Sequence, residues 1–198
     1  MEHLVVAMCV FALVGATSPG PVNLVATSTA ANFGFARTLL FVSGASVAYA
    51  LIVFVSGNLL GLLVNWLPNI ERTMQIVGTM FLLYVVKQIA CAPYEAIEQQ
   101  SQRKVPSLAY GGLMQCINPK AWLVAMSGIS LYVVGQDSLR LHLITFTLIS
   151  LVACFIGVSS WAAIGHVIRR YLQSEVQQRR FNVVMASLLL VSISSIWL

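Results

Sequence analysis

The chain has 198 residues, of which 59% are hydrophobic and only 9% are charged, and its formal net charge is +5. Soluble domains carry about 25% charged residues, so this composition predicts an integral membrane protein without a soluble domain. At about 20 residues per span, the length accommodates six helices joined by short loops. We interpret the basic excess as a signal of membrane orientation, and no nucleic-acid partner is expected.

Apolar runs predict six transmembrane helices, with connections around Arg37, Pro68, 93–106, Asp137 and 169–180. The first run begins with Glu2 and His3 instead of a basic cluster, which favours a retained span over a signal peptide. We therefore expect an all-α, polytopic transmembrane domain over 1–198 whose surroundings are the lipid bilayer. The predicted spans lie near 4–30, 38–64, 72–91, 107–133, 141–165 and 181–198.

Two tetrads interrupt the apolar runs at matching places, Ser18-Pro19-Gly20-Pro21 and Ile117-Asn118-Pro119-Lys120. A short polar residue followed by proline is typical of a helix start, with the polar side chain as the N-cap. In a bilayer such breaks are tolerated where the backbone lines a cavity, as in secondary transporters. The spacing predicts two three-helix repeats, 1–92 and 107–198, with helices 1 and 4 broken.

Basic residues are distributed unevenly among the connections. The first, third and fifth connections, with adjoining span ends, hold eight of them, and the second and fourth hold only Arg72 and Arg140. The positive-inside rule then places the odd connections in the cytoplasm and both termini on the periplasmic side. Three spans per half make the halves an inverted repeat, whose restarted half-helices would direct their N-termini at each other. The eight are Arg37, Lys87, Arg103, Lys104, Arg169, Arg170, Arg179 and Arg180.

Lys120 lies within a predicted span, where an unpaired lysine costs from about 2.5 to more than 10 kcal/mol. All six acidic residues lie in connections or at span ends. The missing anion could therefore be the carboxylate of a ligand, bound at the helix start. The alternative is that Lys120 snorkels or bonds to broken-helix carbonyls such as those near Ala16 and Cys116.

Other polar residues near the breaks are candidates to line a substrate cavity. Asn23 and Thr27 would share one face of the half-helix after Pro21, and Gln115, Asn118 and Trp122 recur at helical spacing. Polar side chains also hold membrane helices together, so this packing role stays open for each. With the two tetrads, the candidate substrate-binding set is Ser18, Pro19, Gly20, Pro21, Asn23, Thr27, Gln115, Asn118, Pro119, Lys120 and Trp122; Ser43, Ser46 and Tyr49 in span two are weaker candidates.

Enzymatic and metal chemistry find little support in the sequence. The four cysteines are scattered and show no CxxC or Cys/His ligand spacing, so no cofactor and no metal are expected. The nearest match to the GxSG motif of rhomboid-type membrane serine proteases is Ala125-Met126-Ser127-Gly128. The sequence thus predicts a protein that is not an enzyme.

At its motifs the chain resembles the LysE/RhtB-type family of bacterial amino-acid exporters. Ala26–Phe35 and Gly165-His166 lean toward the cysteine and O-acetylserine exporters, whereas Val22-Asn23 departs from the residues common after the second proline. The matching stretches are Ser18 to Asn23, Gly34 to Arg37, Val77 to Lys87, Gly112 to Ala121 and Arg180 to Asn182.

The resemblance implies a secondary transporter of the bacterial inner membrane that exports small neutral amino acids, such as cysteine/O-acetylserine or homoserine/threonine. Efflux of a soft metal ion is the alternative within transport, and a membrane enzyme or assembly factor is the alternative outside it. The coupling ion and the oligomeric state, including a homo-oligomer, stay open. Lys120 is one candidate for the coupling residue.

Overall fold

The computed structural model describes residues 2–91, 106–172 and 174–194, with side chains described except at 60–71, 73–75 and 194. Eight α-helices cover most of these residues. The helices are α1 (Glu2–Thr17), α2 (Pro21–Phe33), α3 (Phe35–Asn58), α4 (Leu60–Ala90), α5 (Leu108–Cys116), α6 (Pro119–Tyr132), α7 (Leu139–Arg169) and α8 (Glu175–Ser194).

Both predicted helix breaks are present. The first separates α1 from α2, whose axes differ by 60°. The second separates α5 from α6, and in each pair the later helix begins with a proline, Pro21 or Pro119. Proline fits a first helical position because its missing N–H has no intrahelical partner there. The predicted break positions are thus confirmed.

The long helix α7 forms the spine of the bundle. Helices α1 and α2 run parallel to it, since Ala16 lies against Gly157 and Thr27 lies further along against Gly165. Helix α3 runs antiparallel to α7, because Gly57 near its end contacts Leu143 near the start of α7. Helix α2 is buried from Pro21 through Ala31, so the break delivers a helix into the interior of the bundle.

Close contacts between backbones depend on small residues. A Cβ added at Gly44 would collide with the carbonyl oxygen of Leu108, and Gly112 lies near Gly44 and Ala48. Gly157 approaches α1 closely, where an added Cβ would lie 2.7 Å from the Cβ of Ala16. Packing through small residues is the usual way for membrane helices to approach one another.

Part of the described chain has the length and apolar composition of membrane spans. Helices α3 and α7 are each long and apolar enough to cross a bilayer, and α1 with α2 qualifies as one bent span. Helices also occupy the other three predicted spans, but they do not reach the same threshold within the described residues. Among the described residues the only regular secondary structure is helical, several of these helices are typical of a membrane protein, and the six-span arrangement stays a prediction.

One predicted connection was wrong. We expected it around Pro68, whereas α3 ends at Asn58 and α4 begins at Leu60, so α4 runs through position 68. Pro68 was the break signal in that stretch of the sequence, but the helix is interrupted nine residues earlier, at Leu59. Most of the predicted connection 93–106 lies outside the described residues.

Candidate functional site

The first helix break exposes a run of carbonyl oxygens, and side chains bond to each of them. Ser18 Oγ donates to the carbonyl of Gly15 at 2.9 Å, and Trp161 Nε1 donates to that of Thr17 at 2.9 Å. Asn23 Nδ2 donates to the carbonyls of Ala16 and Ser18 at 2.8 and 2.9 Å. An unpaired carbonyl at membrane depth costs several kcal/mol, so these donors permit the break.

Lys120, in the second half of the chain, also donates hydrogen bonds to the first break. Its ammonium donates to Ser18 Oγ at 2.7 Å and to the carbonyl oxygens of Ser18 and Pro19 at 3.0 and 3.1 Å. An ammonium has three donors, so these contacts employ all of them. Lys120 thus bonds to broken-helix carbonyls, and the second break is joined to the first.

The second break is simpler and local. Trp122 Nε1 donates to the carbonyl of Cys116 at 2.8 Å, and the backbone N–H of Asn118 donates to the carbonyl of Gln115 at 3.2 Å. Gly78 of α4 lies beside the carbonyl oxygen of Ile117, where an added Cβ would approach to 2.7 Å. Helix α4 therefore covers this break from one side.

One of the two predicted N-cap positions is confirmed and the other is wrong. Gly20, rather than Ser18, is the N-cap of α2, and Asn118 is at the N-cap of α6 without a side-chain capping bond. Ser18 fails as a cap because its hydroxyl bonds back to Gly15. Both helix starts lack a side-chain cap among the described residues, which leaves their positive ends available to an anion.

A cavity of about 40 Å³ lies between the two breaks. One water needs a cavity volume of roughly 10–15 Å³, so this cavity has room for a few waters and is too small for an amino acid in this conformation. Polar groups from both halves and several small side chains form its wall. The lining residues are Gly15, Ala16, Gly20, Val22, Asn23, Tyr49, Gln115, Asn118, Lys120, Ala121, Val124, Cys154 and Val158.

Comparison with known families identifies the group to which the chain belongs. Residues 13–193 match the family model described as LysE type translocator. The chain is a LysE type translocator by family. This result confirms the resemblance that the sequence motifs indicated.

Relatives of this LysE type chain include proteins named "Cysteine/O-acetylserine efflux protein". The one from Salmonella choleraesuis (strain SC-B67) is 26% identical over 187 residues, which is 94% of this chain and 93% of that protein. The one from Escherichia coli (strain K12) is 24% identical over 186 residues, covering 94% and 93%. No solved structure matches the chain.

The LysE type chain brings most of the predicted site residues together. Gly20, Asn23, Gln115, Asn118 and Lys120 line the cavity. Ser18 and Pro19 bind the Lys120 ammonium beside it, and Pro21 and Pro119 begin the two helices.

Six of the eleven predicted residues do not line this cavity, and two of these, Thr27 and Trp122, neither bind Lys120 nor begin a helix. The Thr27 hydroxyl lies 3.0 Å from the carbonyl oxygens of both Asn23 and Trp161, which share its single proton, so Thr27 contributes to the packing of α2 on α7. Trp122 turns its indole N–H to the carbonyl of Cys116. The packing alternative that the sequence left open describes both residues in this conformation.

Cys154 is the polar lining residue that sequence reasoning missed, and Tyr49 was ranked as a weak candidate. Both are buried on the cavity wall, Tyr49 on α3 and Cys154 on α7. Gln115 Nε2 lies 3.9 Å from Cys154 Sγ, so Cys154 is a polar neighbour of the Gln115 amide. A lone cysteine in an apolar run gave no signal because it resembles a small core residue.

The described residues do not form a cluster of side chains that could bind a metal ion. Within the described residues, no three His, Cys, Asp or Glu side chains are grouped to hold an ion. The site contains two uncapped helix starts, one ammonium bonded to the first break, and neutral amide and hydroxyl groups in an apolar bundle. That set of groups fits a small zwitterion better than a soft cation.

Proposed function

We propose that this protein exports small neutral amino acids from the bacterial cytoplasm across the inner membrane. Cysteine and O-acetylserine are the first candidates, because relatives that align over 94% of the chain bear that name. Homoserine and threonine are the second pair. The observation that carries the proposal is the polar cavity where Lys120 and the two uncapped helix starts meet.

The architecture that we propose is six spans arranged as a 3+3 inverted repeat. Exchanging α1, α2, α3 and α4 with α5, α6, α7 and α8 preserves most of the helix pairings. For example, α3 packs on α5 as α1 packs on α7, and α4 packs on α8. Helices α3 and α7 correspond and are antiparallel, which supports a two-fold axis perpendicular to them, as in an inverted repeat.

In this proposal, substrate reaches the cavity by alternating access. The cavity of about 40 Å³ must enlarge before an amino acid enters, so the two break regions have to separate on one side at a time. The contacts of Lys120 with Ser18 and Pro19 oppose that separation. A substrate carboxylate that binds the ammonium offsets part of the free energy lost with these contacts. Coupling to an ion gradient supplies the remaining free energy for the separation.

Export by the purified protein in proteoliposomes tests the proposal. Vesicles are loaded with labelled cysteine, O-acetylserine, homoserine or threonine, and the exchange of each against unlabelled amino acid is followed. Parallel vesicles are loaded with a soft metal ion such as Cd²⁺. Exchange of at least one amino acid is expected, whereas transport of Cd²⁺ alone, or of no compound, would overturn the proposal.

A further inference from the structure

The side chain of Asn118 combines deep burial with an unused acceptor. It is 7% exposed and lines the cavity, yet its Oδ1 atom has no hydrogen-bond partner among the described residues. Buried polar groups are normally paired, and each exception calls for a physical reason. Asn118 is the N-cap residue of α6, but its side chain does not cap the helix, so capping does not account for the buried oxygen.

The neighbouring side chains indicate which end of the amide is left over. Gln115 Nε2 is directed at Cys154 Sγ, 3.9 Å away, which leaves Gln115 Oε1 facing Asn118. Asn118 Nδ2 then approaches Gln115 Oε1 at 3.5 Å. Because the nitrogen is turned to Gln115, the oxygen is the group left without a donor.

The charges around the cavity indicate which kind of ligand group could donate to Asn118 Oδ1. Lys120 and the starts of α2 and α6 make the break side of the cavity positive, and none of the described residues that line it is acidic. A ligand with a carboxylate would satisfy that positive side, but its own ammonium would need a neutral acceptor. Asn118 Oδ1 is a buried, neutral acceptor without a donor on a residue that lines the cavity.

We infer that Asn118 Oδ1 receives the α-ammonium group of the transported substrate and so selects for α-amino acids. The inference rests on the proposed export of amino acids. Other buried polar side chains also have unpaired atoms, but Ser56, Ser150, Ser159 and Asn182 do not line this cavity. Asn182 is therefore a matched control, as an equally buried and unpaired asparagine elsewhere in the bundle.

The test compares each amino acid with an analogue that lacks only the amino group. The pairs are L-homoserine with 4-hydroxybutyrate and L-cysteine with 3-mercaptopropionate. The apparent dissociation constant of each ligand is obtained from its thermal stabilisation of the purified protein. Parent, Asn118→Leu, Asn118→Asp and Asn182→Leu are measured side by side, with the pair whose amino acid the parent exchanges.

The parent and Asn182→Leu should prefer the amino acid by on the order of ten- to a hundredfold, the range for a hydrogen bond to a charged group. In Asn118→Leu, which is similar in size but lacks the acceptor, the preference should fall toward equality. In Asn118→Asp the preference should be kept or increased. The carboxylate is common to both ligands, so its repulsion by the new Asp cancels in the ratio.

A parental preference that persists in Asn118→Leu would overturn the inference and leave the export function standing, with a water molecule at Oδ1 instead. If Asn118→Leu does not fold, Asn118→Asp decides, because a reduced preference in that variant also contradicts the inference. A parent that exchanges neither homoserine nor cysteine but does exchange another amino acid is examined with that amino acid and its des-amino analogue. A parent that exchanges no amino acid would defeat the proposed function itself.

Discussion

Lys120 Nζ lies 2.7 Å from Ser18 Oγ, although the two residues are 102 positions apart. The same ammonium bonds to the carbonyl oxygens of Ser18 and Pro19, so a residue of the second break satisfies the backbone of the first. An unpaired lysine and unpaired carbonyl groups each cost free energy inside a membrane, and by bonding to each other they reduce both costs. This contact joins the two halves of the chain at the cavity.

Replacing Lys120 with methionine keeps the length of the side chain and removes its donors. The carbonyls of Ser18 and Pro19 then lose a charged partner, and we expect a loss of stability of about 1.5–3 kcal/mol. If Lys120 also receives the substrate carboxylate, substrate affinity falls by on the order of ten- to a hundredfold. Thermal unfolding and substrate binding of the purified variant measure the two effects separately.

Lys87→Met is the matched control, because Lys87 is exposed in the last turn of α4. Lys120→Arg should restore function only in part, since the planar guanidinium is bulkier than an ammonium. A Lys120→Met protein of lower stability that binds substrate as the parent does would make Lys120 a structural link only. The predicted carboxylate site would then be wrong at its centre.

The prolines of the first break should be required for transport. In Pro19→Ala/Pro21→Ala the constraint that favours the break is removed, and a continuous helix from α1 into α2 becomes accessible. We expect a folded, inserted protein with little export, because the carbonyls that bind Lys120 would turn into intrahelical bonds. Export assays on reconstituted protein, with circular dichroism as the measure of folding, test this expectation.

Pro106→Ala serves as the control for that double variant, since Pro106 lies just before α5 and outside any helix. It should export like the parent. Full export by Pro19→Ala/Pro21→Ala would show that the break is tolerated by the fold without being used.

Membrane orientation is predicted from the eight-to-two distribution of basic residues among the connections. Reporter fusions should place Ala92 to Ser107 in the cytoplasm and Leu198 in the periplasm. The reporters are an enzyme active only outside the cytoplasm and a fluorescent protein active only inside it. A periplasmic signal from a fusion within 92–107 would reverse the proposed direction of both breaks.

The sequence predicted the breaks because proline leaves a local chemical signature at a helix start. It did not predict which carbonyls Lys120 would bind, since that depends on how two distant segments meet. Helical spacing put Asn23 and Thr27 on one face, but it could not tell that Thr27 would be turned to Trp161. Cys154 was missed because its role follows from its neighbour Gln115, which lies on another helix.

Ser18 shows that sequence reasoning can also misplace a residue's role when the residues involved are close in the chain. Its place before Pro19 predicted an N-cap, but a second proline at position 21 moves the helix start to Pro21 and the cap to Gly20. The hydroxyl of Ser18 is then left to bond to the end of α1. A local rule was therefore applied two residues too early, although the break itself was located correctly.

Gly20 should be required for the Lys120 contact because of space, not backbone strain. Its φ of −175° is extended backbone that any residue adopts. A Cβ at this position, however, would lie 3.2 Å from Lys120 Nζ and 3.3 Å from its Cδ, closer than ordinary van der Waals contact. Gly20→Ala should therefore displace the ammonium from Ser18, and Gly20→Val should do so more strongly.

The expected result is a stepwise fall in export and thermal stability from parent to Gly20→Ala to Gly20→Val. Gly112→Ala is the matched control, because a Cβ there would meet its nearest neighbour at 3.6 Å, an ordinary contact. A double variant, Gly20→Ala/Lys120→Met, should be no worse than Lys120→Met alone, since both changes act on the same contact. Additive losses in that cycle would show that Gly20 acts through some other neighbour of the cavity and that the ammonium does not depend on its missing side chain.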